Sequence, residues 1–208
     1  MGPESKTKPV IGLVGGVCSG KSTAAAELAA AGCAVIDADR VGHQVLAEPA
    51  VRDALSRRWG AAVVTPAGEV DRAAMARIVF ADTDELAALT AITWPRIRAH
   101  LERFIAETRT KNDVPAVVLD AAVLFEAGWD DICTHVLFVA APEADRRRRA
   151  AAKGWGEIAW RRREKSQFPL DIKAARCYAA LDNSSTVVHL REQTRQALHR
   201  IVQQADGS

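Results

Sequence analysis

The sequence predicts an α/β protein built on a parallel sheet that is covered by helices. Short apolar runs with strand character alternate with longer helical stretches along the 208 residues. The first of these runs leads directly into a glycine-rich loop and then into a helix. No internal repeat or low-complexity linker interrupts the alternation. Residues 1–208 are therefore expected to form a single domain, which this length allows to carry an insertion and to bury a substantial core.

The composition is that of an ordinary globular protein and excludes several classes. Hydrophobic residues make up 49% and charged residues 26% of the chain, and a net charge of +2 is too small to indicate nucleic acid as the main partner. No apolar run reaches the roughly 20 residues of a membrane span. Residues 1–8 lack the apolar centre of a signal peptide and are expected to be a flexible leader. The four cysteines have no metal-ligand spacing, so reduced thiols in the cytoplasm are predicted.

The predicted strands follow the apolar runs in chain order. Their expected ranges are residues 10–14, 34–37, 114–119, 134–140 and 178–181.

The loop after the first strand has the pattern G-x-x-x-x-G-K-[ST], with the sequence G-G-V-C-S-G-K-S-T over residues 15–23. A helix over residues 23–30 follows it. The backbone N–H groups of such a loop converge on one anion together with the helix N-terminus, so the pattern predicts a site for a nucleoside triphosphate. Lys21 is expected to reach the outer phosphates, and the Ser22 hydroxyl to bind the magnesium ion that they carry. The other residues predicted to bind ATP here are Gly15, Gly16, Cys18, Ser19, Gly20 and Thr23.

More than seventy residues separate the second and third predicted strands, and they are mostly helical in pattern. Asp71 is expected to open a helix that runs to Phe80. Asp82 or Thr83 is expected to cap the next helix. Because the residue before a proline is biased away from helix, Trp94 followed by proline predicts a break or a kink there.

Two runs of arginine follow the fourth predicted strand, at residues 146–149 and 161–163. Such runs usually form a solvated helix face. Because they follow a strand of a nucleotide-binding sheet, a lid that closes over phosphate groups is the alternative. The last helix is expected over residues 186–204, with Ser185 as its cap.

Carboxylates stand where the second and third strands end. Asp37 and Asp39 are two residues apart, so in an extended chain they point to the same side, toward the sheet edge where ligands bind. Each carboxylate could serve chemistry in two ways: it could accept a proton from an attacking hydroxyl, or it could hold magnesium through water. The alternative is that both are turn and cap residues. Asp120 supports the magnesium site. Glu126, farther along, is expected either to pair with a lid arginine or to be exposed.

These residues together resemble the dephospho-CoA kinase family, over nearly the whole chain from residue 11 to 202. The glycine loop is shared by many families, but the order of the later motifs is more specific. These motifs are D-A-D at residues 37–39, G-E-V-D-R at 68–72, L-F-E-A-G at 124–128, an arginine helix after Pro142, Gln167, and D-N at 182–183.

The resemblance implies a three-layer P-loop kinase fold with a five-stranded sheet in the order 2-3-1-4-5. It implies transfer of phosphate from ATP to the ribose 3′-hydroxyl of dephospho-CoA, with Mg²⁺. Asp39 matches the catalytic base, Lys21 the loop lysine, either Arg148 or Arg149 the lid arginine, and Asn183 a residue beside the adenine. Residues 40–110 match the CoA-binding insertion and residues 142–176 the lid. The remaining positions expected at the acceptor are Asp37, His43, Leu124, Phe125 and Glu126.

The sequence departs from the family pattern at several positions. Cys18 stands where a glycine is usual, and Trp94 and Ala122 replace residues on the acceptor side. A kinase of another small hydroxylated metabolite and a regulatory ATP-binding relative with little catalysis therefore stay as alternatives. The expected partners are small molecules, without nucleic acid or membrane, and the expected state is a monomer or small homo-oligomer.

Overall fold

The computed structural model describes residues 8–65 and 67–207, and it confirms the α/β fold. Five parallel strands form one sheet in the order β2-β3-β1-β4-β5, as the family resemblance implied. The strands are β1 (Val10–Gly15), β2 (Ala34–Asp37), β3 (Val117–Asp120), β4 (His135–Ala140) and β5 (Ala179–Asp182). Residues 1–7, which hold most of the expected leader, lie outside the described part.

Helices connect the strands and divide the chain into two compact units. The first unit comprises residues 1–37 and 103–208, and the second comprises residues 38–102. The α-helices of the described residues are α1 (Lys21–Ala30), α2 (Ala38–Ala47), α3 (Pro49–Trp59), α4 (Arg72–Val79), α5 (Thr83–Arg109), α6 (Glu143–Ala152), α7 (Glu157–Lys165), α8 (Leu170–Ala175) and α9 (Val187–Asp206). Short 3₁₀ helices lie at Gly60–Val63 and Trp129–Ile132.

The predicted strands match the observed ones closely, except at the start of β3. This strand begins at Val117, three residues later than the sequence pattern suggested. Pro115 has no N–H group to donate to a neighbouring strand, which explains the shorter ladder. Ala116 still accepts a hydrogen bond from the backbone of Ala34 through its carbonyl, at 3.1 Å.

The core of the first unit lies on both faces of the sheet, because every residue of β1 is buried. A parallel sheet with both faces covered carries continuous apolar strands of this kind. On one face α1 and α9 pack through Leu28, Leu190 and Ile201, which are fully buried.

The second unit is helical, as predicted for the insertion. The long helix α5, which begins in this unit, runs without interruption through Pro95. The predicted break near Trp94 is therefore wrong, and the alternative of a kink stays a prediction. A proline inside a helix costs about 3 kcal/mol through its missing hydrogen bond and its steric clash. Ile97 and Leu101, which follow the proline in the helix, are buried. Burial of each of these side chains contributes roughly 1.5–3 kcal/mol, which offsets that cost.

The helix caps follow the sequence in two places and differ in a third. Asp71 caps α4 by accepting from the N–H groups of residues 73 and 74. Asp82, rather than Thr83, caps α5, since its carboxylate accepts from the Asp84 N–H at 2.8 Å. Thr186 caps α9 in place of the expected Ser185, because its hydroxyl accepts from the N–H of residue 189 at 3.1 Å. Across residues 8–65 and 67–207, none of the helices has both the length and the apolar character of a membrane span.

Candidate functional site

The glycine loop joins the end of β1 to the start of α1 and has no room for larger residues at two of its glycines. Gly20 adopts a left-handed backbone with φ of 108°, and a Cβ there would overlap the side-chain amide of Asn183. A Cβ at Gly15 would lie 2.5 Å from the Ser19 hydroxyl oxygen. Glycine is therefore required at both positions if the loop is to keep this shape.

Cys18 takes a conformation that glycine adopts more easily. Its φ is 62°, and it is the one non-glycine residue with positive φ in the described part of the chain. This conformation costs an L-residue about 1–2 kcal/mol. The loop thus keeps a left-handed backbone at this position despite the Cys18 side chain. Because glycine adopts that backbone without this cost, a glycine is usual here in the pattern.

Two side chains from distant parts of the first unit brace the loop. Asn183 follows β5 and is 4% exposed, and its side-chain amide donates to the Ser19 carbonyl at 2.7 Å. Arg149 of α6 donates to the carbonyls of Ser19 and Cys18 at 3.1 and 3.4 Å. The Arg149 guanidinium also donates to the Asn183 carbonyl at 3.2 Å. Asn183 thus supports the loop backbone, and its place beside an adenine stays a prediction.

Arg148 and Arg149 lie in different surroundings, although they are neighbours in the sequence. The Arg148 side chain is 72% exposed and pairs with Asp145 of its own helix at 2.7 Å. Arg149 is directed at the loop. The structure therefore brings Arg149, and not Arg148, to the phosphate-binding loop.

Lys21 and Asp120 meet at the carboxyl ends of β1 and β3. The Lys21 ammonium nitrogen lies 3.6 Å from one carboxylate oxygen of Asp120, with both side chains mostly buried. Asp37, the last residue of β2, is in register with Asp120. Ser22 lies in the first turn of α1. The donor atoms predicted for magnesium are thus hard oxygens placed at strand ends and at a helix N-terminus.

These donors fit a magnesium ion that arrives with a nucleotide. Within residues 8–65 and 67–207, no group of three or more His, Cys, Asp or Glu residues is arranged to hold a metal by itself. Magnesium commonly uses one or two protein oxygens and completes its shell with phosphate oxygens and water. The Ser22 hydroxyl and the Asp120 carboxylate correspond to that pattern.

Asp39 and His43 belong to α2 in the second unit. Because β2 ends at Asp37 and α2 begins at Ala38, Asp39 lies in the first helical turn. The expectation that Asp37 and Asp39 share one face of an extended strand is therefore wrong. His43 makes a 2.8 Å hydrogen bond with the Arg72 guanidinium within the same unit.

Glu126 is neither exposed nor paired with an arginine, contrary to both expectations. One of its oxygens lies 2.8 Å from the ammonium of Lys173 in α8, and the two side chains are 8% and 0% exposed. Lys173 also donates to the Ala122 carbonyl at 2.8 Å and to Gln167 at 3.1 Å. Burial lowers the pKa of Lys173, and the hydrogen bond and charge of Glu126 act against that shift. This cluster fastens α8 to the loop that follows β3.

Leu124 and Phe125, predicted at the acceptor, are 0% and 6% exposed. Leu124 lies against Gly12 of β1, where a Cβ would be 2.6 Å from its methyl carbon. The Phe125 ring lies under the Arg176 guanidinium, 4.2 Å from its centre. Both side chains support the loop in this structure, and a direct contact with an acceptor stays a prediction.

We expect Lys173→Met to lower the free energy of unfolding by about 3–5 kcal/mol, because Glu126 would keep a buried charge without its partner. Chemical denaturation of the variant and the wild type measures this change. Lys165→Met is the control, since Lys165 is exposed at the end of α7 and its loss should change stability by less than about 0.5 kcal/mol. Equal stability of the two variants would contradict the structural role of the Lys173 pair.

Glu164 and Lys173 were not singled out by the sequence patterns, and Arg146 was noted only as part of an arginine run, yet all three lie at or beside this site. A signal for Arg146 was present. Residues three apart share a helix face, so Arg146 and Arg149 point the same way while Arg147 and Arg148 point elsewhere. The pairing of Glu164 or Lys173 with residues far along the chain has no such local signal.

A cavity of about 380 Å³ opens beside the loop. It is lined by Gly16, Arg146 and Leu170, by residues 138–142 at the end of β4, and by Asp182 and Ser184 after β5. This volume lies next to the predicted phosphate site and can receive part of a bound ligand.

The four cysteines are free thiols, and they differ in their surroundings. Burial raises the pKa of Cys33 and of Cys177 to about 11, and the pKa of Cys133 to about 12. Those thiols therefore stay protonated at neutral pH, and the thiolate is the reactive form. Cys18 is only half-buried and lies in the loop.

We expect iodoacetamide at pH 8 to alkylate Cys18 before the other three cysteines, and bound ATP to slow that labelling. Mass spectrometry of peptides from timed reactions, with and without ATP, measures both effects. Cys18→Ser is the control and should remove the early label. Labelling of Cys18 that ATP leaves unchanged would contradict nucleotide binding at this loop.

Comparison with known proteins gives one consistent family. The family model described as dephospho-CoA kinase matches residues 9–189. A dephospho-CoA kinase of Symbiobacterium thermophilum is 39% identical over 190 residues, covering 90% of this chain and 79% of the relative. One of Thermus thermophilus is 35% identical over 208 residues, covering 100% of this chain and 98% of the relative.

Solved structures agree in fold. The crystal structure of TT1252 from Thermus thermophilus has a TM-score of 0.79 at 33% identity, covering 93% of this chain and 97% of that one. Shikimate kinase from Acinetobacter baumannii, in complex with shikimate, has a TM-score of 0.54 at 15% identity, covering 96% of each chain. That second likeness concerns the fold alone.

Proposed function

The chain belongs to the dephospho-CoA kinase family, and we propose that it carries out the reaction with the loop lysine Lys21, the lid arginine Arg149 and the base Asp39. The activity is ATP-dependent phosphorylation of the ribose 3′-hydroxyl of dephospho-CoA, which gives coenzyme A in the last step of its biosynthesis. The observation that supports the roles of Lys21 and Arg149 is that two cations lie at the glycine loop: Arg149 donates to the Ser19 carbonyl, and Lys21 follows the loop and lies beside Asp120.

The loop holds the phosphates of ATP in this proposal. Lys21 leaves its contact with Asp120 or shares it with the outer phosphates, and loop N–H groups from Gly16 to Thr23 donate to phosphate oxygens. Ser22 and Asp120 supply oxygens to Mg²⁺, which neutralises phosphate charge when it is bound. The cavity beside Gly16 receives the nucleoside part of ATP, with Asp182 and Ser184 in its lining. Asn183 lies between these two residues in the sequence and is proposed to lie beside the adenine.

The acceptor hydroxyl is activated by Asp39. The hydroxyl oxygen attacks the γ-phosphorus in line with the bond to the β,γ-bridging oxygen, that bond breaks, and ADP leaves. The proton of the hydroxyl passes to the Asp39 carboxylate. Asp37 and His43 are proposed to position the acceptor, and residues 124–126 to shape its site. Arg149 stabilises the charge that develops on the transferring group.

The two larger segments have separate roles in this proposal. The helical unit over residues 38–102, which corresponds to the expected insertion at residues 40–110, binds the CoA part of the acceptor. Residues 142–176 act as the lid over the phosphates. We further propose a cytoplasmic monomer or small homo-oligomer that works on small molecules without nucleic acid, which is supported by the four unpaired thiols and the modest net charge.

The test is ADP release from ATP and magnesium, with dephospho-CoA compared against adenosine, AMP and shikimate. We expect dephospho-CoA alone to stimulate release strongly. Stimulation by another acceptor would keep the kinase mechanism and replace the substrate. Binding of ATP without stimulation by any of the four would contradict the proposed catalysis and favour a regulatory relative.

A further inference from the structure

The loop that binds the phosphates already holds a carboxylate from the lid. One oxygen of Glu164, in α7, accepts a hydrogen bond from the backbone N–H of Val17 at 2.7 Å. Val17 is the second residue after Gly15 in the glycine pattern. Its N–H group belongs to the set that the loop presents to an anion. A negative side chain therefore occupies one of the backbone donors of the loop.

The other oxygen of Glu164 pairs with a buried cation that also touches the loop. It lies 2.5 Å from the guanidinium of Arg146, a residue of α6 that is 5% exposed. Arg146 further donates to the Ala141 carbonyl at 3.2 Å, and its guanidinium lies 5.6 Å from the Trp160 ring centre.

Gly16 is the place where that guanidinium approaches the loop backbone. A Cβ at Gly16 would lie 2.7 Å from a guanidinium nitrogen of Arg146. The absence of a side chain at Gly16 thus allows Arg146 to sit against the loop. An arginine fork beside a row of N–H groups is an arrangement suited to phosphate oxygens.

We propose that the Glu164 carboxylate substitutes for a phosphate group of ATP when the nucleotide is absent. On this reading, which rests on ATP binding at the loop, ATP displaces Glu164, its phosphate takes the Val17 N–H group, and Arg146 transfers from Glu164 to the phosphate. Glu164 is thus an anion of the lid that competes with ATP, and Arg146 binds the phosphate only after Glu164 has been displaced. The two anions cannot use the same donors, so the contact lowers the affinity for ATP in proportion to its stability.

The surroundings of Glu164 distinguish this contact from a structural ion pair. The Glu164 side chain is 20% exposed, so water and ligand reach it. The Lys173–Glu126 pair, at 0% and 8%, is closed off. A purely structural ion pair would need a contact between Glu164 and Arg146 alone. Glu164 instead uses one oxygen for that cation and the other for the Val17 N–H group of the loop.

The test is the affinity for Mg-ATP, measured by calorimetry without acceptor, for the wild type, Glu164→Gln and Glu164→Ser. We expect both variants to bind ATP about tenfold more tightly, which is about 1.4 kcal/mol, because the competing charge is gone. Glu157→Gln is the matched control: Glu157 lies on the same helix and pairs with Arg147 and Arg161 away from the loop. Its affinity should equal that of the wild type.

A second comparison tests the role of Arg146. The double variant Arg146→Gln with Glu164→Gln should lose most of the gained affinity, since the phosphate ligand is then absent. A merely structural Glu164 would weaken ATP binding when removed, so the sign of the change decides. If the wild type binds ATP and the Glu164 variants bind it equally or more weakly, the proposed competition by Glu164 is wrong, while the proposed function stays possible. If the folded wild type does not bind ATP, the proposed function fails with it.

Discussion

Asp39→Asn is expected to lower kcat by about 10²- to 10⁴-fold, the range that general-base catalysis usually contributes. Asparagine keeps the size of the side chain but cannot take the proton of the ribose hydroxyl. Asp39 lies in the first turn of α2, so the change should leave the fold intact. The dissociation constant for ATP, measured without acceptor, should stay within about twofold of the wild type, because the loop and the lid arginine are unchanged.

Asp53→Asn is the matched control for this variant. Asp53 is an exposed residue of α3 in the same helical unit, and its replacement should leave kcat unchanged. Near-normal turnover of Asp39→Asn with dephospho-CoA would remove Asp39 as the base. Loss of ATP binding in the same variant would instead assign Asp39 to the nucleotide site.

The sheet and the loop were predictable because their signals are local. A buried parallel strand reads as a continuous apolar run, and the glycine loop repeats a fixed spacing of residues whose backbone and charge are dictated by an anion. The order of the strands in the sheet could not be predicted from such local signals. It came from the family resemblance, since nothing in the runs themselves says which strand lies beside β1.

The errors came from interactions that join distant segments. Pro95 carries a strong local signal for a break, but buried residues on both sides of it keep α5 continuous. Glu126 was expected either to pair with a lid arginine or to be exposed, whereas it is buried and its partner is Lys173, 47 positions farther along the chain. Such pairings depend on how α8 packs against the loop after β3, and the sequence pattern does not encode that packing locally.

Arg149→Ala is expected to lower kcat/KM by roughly 10³-fold, at the lower end of what an arginine at a transferring phosphoryl group contributes. The guanidinium donates to the Ser19, Cys18 and Asn183 carbonyls, so it both shapes the loop and supplies positive charge beside it. Arg149→Lys should recover only a small part of the loss. Lysine keeps the charge but lacks the planar fork that reaches several oxygens at once.

Arg148→Ala is the control that the chain itself provides. Arg148 lies on the same helix and has the same charge, yet its side chain is 72% exposed and forms an ion pair with Asp145 of that helix. We expect its replacement to change kcat/KM by less than about twofold, because exposed ion pairs contribute little. Steady-state kinetics of both variants, with thermal unfolding to check the fold, decides between the two arginines that the sequence left open. A large loss for Arg148→Ala with full activity for Arg149→Ala would mean that the lid rearranges when ATP binds. The contact of Arg149 with the loop would then not identify the catalytic arginine.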